Sequence, residues 1–320
     1  MTAGVLAAAA ALDLALGDPE GPWHPVRLIG GLITWAEARA RRDGRRLKLR
    51  GVGVVLLVLG LTYAAGLLVL KAAAWADDSM DFNGAAGFVA QVLMVWSCLG
   101  IRSMLKHAEA VLDALRSGDL EGAKAAVARI VGRDVSELDA GGICRACLES
   151  VAESLGDGVM GPLFFAGLGG GPLALVYRAA NTLDSMLGHR DEHYRELGWA
   201  SARTDDFLSW LPARKAALFT ILGAACLKLD FRSAWRVPRR DARKQPSPNS
   251  GWPEGAFAGA LGVRLGGPLS YRGRVVEKPF LGEAKRPLTE ALCREGLKLF
   301  LAASLVAVVV DEVLAWYGLH

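Results

Sequence analysis

This 320-residue chain is poor in the features that mark most soluble enzyme classes, and each shortage excludes something. Its five cysteines, Cys98, Cys144, Cys147, Cys226 and Cys293, are odd in number and sit mostly in apolar or helical stretches, so they build no disulfide framework. Cys144 and Cys147 form a CxxC, but no strand precedes it and no second pair completes a metal site, so helix packing is the expected role. Histidine is scarce too, and His189, His193 and His320 show no metal-ligand spacing. No Walker A loop, Rossmann fingerprint, Gly-x-Ser-x-Gly elbow or His-Glu-x-x-His site occurs. The net charge of +4 gathers in two short blocks rather than along a face, which argues against nucleic-acid binding. No basic segment precedes the first apolar run and Asp13 follows it, so a cleavable signal is not expected.

What the chain has is apolar length. Hydrophobic residues make up 52% and mean hydropathy is +0.28, while charged residues still reach 22%. Residues 51–76 are the clearest span, since Gly51 to Leu70 carries no charge and about 20 apolar residues cross a bilayer core. Arg39, Arg41, Arg42, Arg45, Arg46, Lys48 and Arg50 precede it, which places that loop in the cytoplasm. An acidic loop with Asp77, Asp78 and Asp81 follows, and residues 84–101 return. Residues 1–16 suit a short or tilted span, and residues 26–38 show helical periodicity. Residues 158–176 are apolar but interrupted by Gly161-Pro162 and Gly169-Gly170-Gly171-Pro172, the pattern of a broken or re-entrant helix. A short apolar run at 216–227 leads into a second basic block, and residues 245–287 read as Gly/Pro-rich and loop-like.

The expected fold is all-α: a polytopic helical membrane protein with broken or re-entrant helices and cytoplasmic amphipathic helices. It reads as one membrane-embedded domain over 1–320. Within it lie N-terminal spans (1–101), a cytoplasmic helical segment (102–156) and broken membrane helices with polar patches (157–227). A cytoplasmic loop region (228–296) and a C-terminal span (297–320) containing Asp311 and Glu312 complete it.

Three polar patches stand out. Arg145, Glu149, Glu153 and Asp157 follow at i, i+4 spacing and stack on one helix face that runs into the membrane segment, where carboxylates are costly and usually functional. Tyr177, Asn181, Asp184 and Ser185 form a second stripe. Arg203 with Asp205 and Asp206 suits either a magnesium–phosphate site or a helix start. The loops at 247–251 and 259–267 are rich in Gly and small polar groups that can cradle anions.

These patches, in this order, resemble the CbiB/CobD family of adenosylcobinamide-phosphate synthases. The segments that carry the resemblance are Leu12-Asp13 through Gly17-Asp18-Pro19, His24-Pro25-Val26-Arg27, Arg102-Ser103 with His107, and Ile130 to Asp134. Glu149-Ser150-Val151-Ala152-Glu153 with Asp157-Gly158, and Asn181 to Met186, continue the series. Ala202-Arg203 with Asp205-Asp206, Pro212-Ala213-Arg214, Ser247-Pro248-Asn249 with Gly251 to Glu254, and Gly259 to Val263 complete it. Ser154, Ser209 and His189 depart from the family pattern, which usually has Asn at the first two positions and an aromatic at the third.

The resemblance implies an ATP-dependent ligase that joins adenosylcobyric acid to aminopropanol or its phosphate through an acyl phosphate, with magnesium on the phosphates. It points to Asp205, Asp206 and Asp184 for metal. Glu153 or His24 is the expected base, with Glu149 and Asp157 beside it. Arg27, Arg133 and Arg203, with Asn181, Ser247, Asn249 and Glu254, are expected to hold the nucleotide. It further implies an inner-membrane location with the site facing the cytoplasm, lipid contact, and either a homo-oligomer or docking with other corrin-pathway enzymes. Two other readings remain: a non-catalytic AmpE-like signalling protein, and a transporter of a corrinoid or other anion.

Overall fold

The computed structural model of the chain describes residues 4–19, 21–42, 45–189, 191–271 and 274–317, the side chains of 270, 271, 274 and 275 excepted. Residues 1–3 of the first apolar run, and His320, lie outside it. The described residues are overwhelmingly helical, and four helices are long and apolar enough to cross a membrane. They fall into two compact units: 1–99 with 161–209 and 308–320, and 100–160 with 210–307.

The first unit is built from α1 (Val5–Leu16), α2 (Pro25–Ala40), α3 (Leu47–Met80), α4 (Ala85–Trp96), α8 (Gly161–Leu187) and α9 (Trp199–Leu208). At 1.5 Å per residue the 12 residues of α1 fall well short of a bilayer core. α3 exceeds the expected span at both ends and leaves Leu56, Leu68 and Trp75 exposed, as a lipid-facing helix does. Ile29, Ile33, Val54, Val58, Leu183 and Leu197 form the core between α2, α3, α8 and the approach to α9. The acidic pair of the last helix has a structural use, because Glu312 accepts hydrogen bonds from the backbone N–H groups of Gly4, Leu6 and Ala7 at the start of α1. Those donors have no partner within the helix, and a carboxylate there also suits the helix dipole.

The expected break in the 158–176 segment is present. Residues 156–160 form a π-helical turn, and within α8 Gly169 (φ −155°, ψ 26°) and Gly170 (φ 71°, ψ −165°) leave the helical region just before Pro172. The amide this frees at Gly171 donates to Gln91 Oε1 at 2.6 Å, so the break is satisfied inside protein.

The second unit comprises α5 (Ile101–Arg116), α6 (Leu120–Val127), α7 (Ala140–Leu155), α10 (Trp210–Cys226), α11 (Phe231–Asp241), α12 (Gly251–Leu261) and most of α13 (Glu290–Trp316). Two two-stranded antiparallel sheets join it, β1 (Arg264–Gly266) with β4 (Phe280–Gly282) and β2 (Leu269–Tyr271) with β3 (Arg274–Val276). The expected return span falls in Ala85–Arg116, one of the four membrane-capable helices, which is interrupted after Trp96 before amphipathic α5 starts at Ile101.

The reading of 245–287 as loop-like is corrected over α12, which is helical and almost wholly buried. Gly251, Gly255 and Gly259 recur every fourth residue and face α11 with its following turn. A Cβ at Gly259 would lie 2.3 Å from Ser233 O, and one at Gly255 would lie 3.0 Å from Pro238 Cα. These glycines are therefore a contact ridge that lets two helices touch, rather than loop residues.

Candidate active site

The polar groups of the second unit converge on a cavity of about 130 Å³. Its lining includes Glu149 and Glu153 from α7, Glu254 from α12, Arg133 from the α6–α7 connection, Gly266 at the end of β1, and Lys278. α7 delivers its carboxylates there because Ile143, Cys147, Leu148, Val151 and Leu155 bury the opposite face, leaving Arg145, Glu149 and Glu153 on the open one. Ser150 hydroxyl donates to Ile130 O at 2.6 Å and fixes the segment that carries Arg133.

Glu149 has both oxygens engaged. Arg133 Nη2 donates to Oε2 at 2.6 Å, and the Gly266 amide donates to Oε1 at 2.6 Å. The Arg133 and Glu149 side chains are only 7% and 12% exposed, so this ion pair is held away from bulk water. Gly266 is obligatory: its φ is +75°, and a Cβ there would sit 2.5 Å from Pro279 O. Gln245 reinforces the wall by donating to Pro279 O at 3.3 Å.

Glu254 is the unusual member. It is buried, and burial, followed by repulsion from Glu153 and Glu149, pushes its pKa well above the usual carboxylate range. Lys278 and a hydrogen bond from Ser250 oppose that shift without reversing it. Glu153 is exposed, so of the three carboxylates it is the one open to an incoming molecule.

A second polar set belongs to the first unit. Asp205 accepts from Asn181 Nδ2 at 3.4 Å and from Ser209 Oγ at 3.5 Å. Ser209 and buried Tyr177 share a further hydrogen bond at 3.1 Å. Arg203 pairs with Asp206 at 3.4 Å, and Asp184 lies near the end of α8, beside Gly188. Among the described residues no group of three or more His, Cys, Asp or Glu side chains is arranged to hold a metal ion. Asp184, Asp205 and Asp206 thus form no complete protein cage.

The remaining expected residues divide. Ser247 accepts the amides of Asn249 and Ser250, forming a turn before α12. Asn249 Oδ1 faces Arg214 at 3.5 Å, and Arg214 lies over the rings of Trp210 and Trp252. Asp157 lies in the π-helical turn, and Arg27 is exposed on the first turn of α2. His24 caps that helix: its Nδ1 accepts from Val26 N at 3.2 Å, and its Nε2 lies 2.9 Å from Asp18 Oδ1. His24 thus sits at the start of α2 in the first unit, and Glu153 on α7 in the second. Lys278 and Gln245 escaped sequence reasoning, and Gly266 was legible only as part of a Gly-rich loop, because no spacing links them to α7.

A helical membrane protein with a small, charged, partly buried cavity is the class these observations define. The chain belongs to the CobD/Cbib protein family, whose profile matches residues 6–300. It is 42% identical over 310 residues to "Cobalamin biosynthesis protein CobD" of Geobacter metallireducens, covering 97% of this chain and 96% of that one. The protein of the same name from Photorhabdus laumondii is 41% identical, with 98% of each chain covered. That of Rhodobacter capsulatus is 44% identical, with 94% of this chain and 93% of the relative covered. No solved structure matches the chain.

Proposed function

We propose that this protein serves cobalamin biosynthesis as a multi-pass inner-membrane ligase that forms an amide between the free carboxylate of adenosylcobyric acid and aminopropanol or its phosphate. Family membership and the names of the relatives support the pathway. The observation that supports the chemistry is the cavity in which Glu149, Glu153 and Glu254 face Arg133 and Lys278.

A carboxylate does not react with an amine unaided, because its leaving group would be oxide-like. Phosphoryl transfer from ATP converts that oxygen into part of a phosphate, a far better leaving group, and the amine then displaces it. Asp205 and Asp206 would hold a magnesium ion, which would supply charge neutralisation on the phosphates; one or two carboxylates suffice for that metal. Glu153 is exposed enough to meet the amine and sits among groups that hold its orientation, which suits a base. Arg133 fixes Glu149 and keeps the α7 face charged.

The test is turnover by the purified protein in detergent or nanodiscs with ATP, magnesium, adenosylcobyric acid and aminopropanol phosphate. Substrate labelled with ¹⁸O in its carboxylate is expected to deliver one label to inorganic phosphate. Product without label transfer contradicts the acyl phosphate. Binding of corrinoid without any product contradicts the ligase and selects the transporter or signalling reading.

A further inference from the structure

The second basic block of the sequence folds into α11 and the 3₁₀ turn after it, and its charges gather on one face. Burial from Phe231 to Lys244 alternates in pairs: exposed pairs begin at Phe231, Trp235, Arg239 and Arg243, and the pairs between them are buried. The buried pairs meet α12, where Gly255 and Gly259 admit them. The exposed pairs recur every fourth residue and therefore share a face, which holds six arginine or lysine side chains, two aromatic rings and no carboxylate. Asp241, buried beneath it, takes Arg240 and Lys244, and Asp230 caps the helix through Ser233 N and attracts Arg236. Arg232, Arg239 and Arg243, with Lys228 in the turn before the helix, make no ion pair among the described residues. A face meant for water alone gains nothing from Phe231 and Trp235, which are 44% and 47% exposed. Arg239 lies over the Trp235 ring at 3.9 Å, so ring and cation form one amphipathic group. The neighbouring helix is apolar outward as well: α10 packs against α11 and exposes Leu211, Leu218 and Leu222 along one side.

We propose that the outer face of α11 lies in the headgroup layer of the bilayer and selects anionic lipids, its rings entering the acyl boundary and its arginines meeting lipid phosphates. The two kinds of side chain set two requirements on the partner. A nucleic acid or an acidic protein would meet the cations but leave the leucines of α10 in water. A zwitterionic lipid would cover the rings, but each of its phosphates carries its own cation and compensates an arginine poorly. An anionic lipid satisfies both, since aromatic rings settle at the membrane interface and arginine adds attraction to a negatively charged leaflet. The bilayer is also at hand: α13, most of which belongs to the same unit, is one of the four helices able to cross it. That places the membrane at high effective concentration beside α11, so modest contacts suffice to hold the face down. This surface lies outside the amide-forming reading and is tested without its substrates.

The test uses the full-length protein in nanodiscs, with Cys226→Ser and Arg236→Cys carrying an environment-sensitive fluorophore; the other four cysteines are buried. The nanodiscs contain phosphatidylcholine and phosphatidylglycerol in equal amounts, with brominated acyl chains on one lipid or the other as quencher. Quenching is expected to report association of phosphatidylglycerol at the label roughly fivefold or more above phosphatidylcholine, the worth of one arginine at an anionic surface. Adding Arg232→Gln and Arg239→Gln, one turn to either side of the label and both exposed, is expected to bring that ratio to within about twofold of unity. Trp235→Ala is expected to weaken quenching by both lipids alike, because it removes depth and not charge. Equal association of the two lipids in the parent, a preference that survives loss of both arginines, or no quenching by either lipid overturns the proposal. An emission that responds to added single-stranded RNA and to neither lipid overturns it in favour of nucleic acid.

Discussion

At the scale of single residues, two buried carboxylates should titrate with opposite signs. Glu254 is pushed upward by burial and then by Glu153 and Glu149, so its proton is held more tightly folded than unfolded. Its contribution to stability is therefore complete below the ordinary glutamate range and lost as pH rises through the elevated folded value. Glu254→Gln, which cannot ionise, is expected to melt higher than the parent at pH 8 and close to it at pH 5, as read by thermal unfolding without ligands. Asp241 goes the other way. Burial pushes its pKa up, but Arg240, Lys244 and the Gly282 amide outweigh that and hold it well below the usual range. Its stabilisation is present above the ordinary aspartate range and disappears as pH falls through the folded value. Asp241→Asn, which leaves cationic partners facing a neutral amide, is expected to cost about 1–3 kcal/mol at pH 7 in denaturant melts. A variant at position 254 that melted no higher at pH 8 than at pH 5, relative to the parent, would mean that the carboxylate is not buried as described.

Elements show where sequence sufficed and where it did not. The break in α8 was legible because Gly169, Gly170 and Pro172 disfavour a helix by local sterics alone. The α7 stripe was legible because helical spacing sets which groups share a face. α12 was misread because its glycines have two meanings, and only the presence of α11 against them decides between loop and ridge. The cavity's other wall was illegible for the same reason: Gly266 and Lys278 reach Glu149 and Glu254 through tertiary contact, Gly266 and Glu149 being 117 positions apart in the chain. Ridge packing carries a consequence. Gly259→Val would drive a side chain into the backbone at Ser233, and a loss of about 3 kcal/mol or more is expected, seen as aggregation or early melting in detergent. Gly262→Ala, at the left-handed cap of the same helix but with no atom nearer than 3.6 Å, is expected to cost less. Equal effects would show that backbone conformation, not contact with α11, keeps these glycines.

For the whole molecule, four apolar helices and family membership make a multi-pass membrane protein, and the proposed chemistry adds a demand on its orientation. ATP is used on the cytoplasmic side, so the segment between α8 and α9 should be reachable from there. Single cysteines in place of His189 and Glu196, both exposed, with Cys226 changed to serine, are expected to react with impermeant maleimide only in inverted vesicles. Labelling from the periplasmic side would separate the Asn181–Asp206 groups from their nucleotide. The most direct single measurement is the ligation rate of Glu153→Gln with all substrates saturating. Loss of the carboxylate that receives the ammonium proton is expected to lower kcat by roughly 100-fold or more, with the deficit partly relieved at high pH, where the amine deprotonates unaided. A variant that ligates at the parental rate across that pH range would contradict the assignment of chemistry to the α7 face.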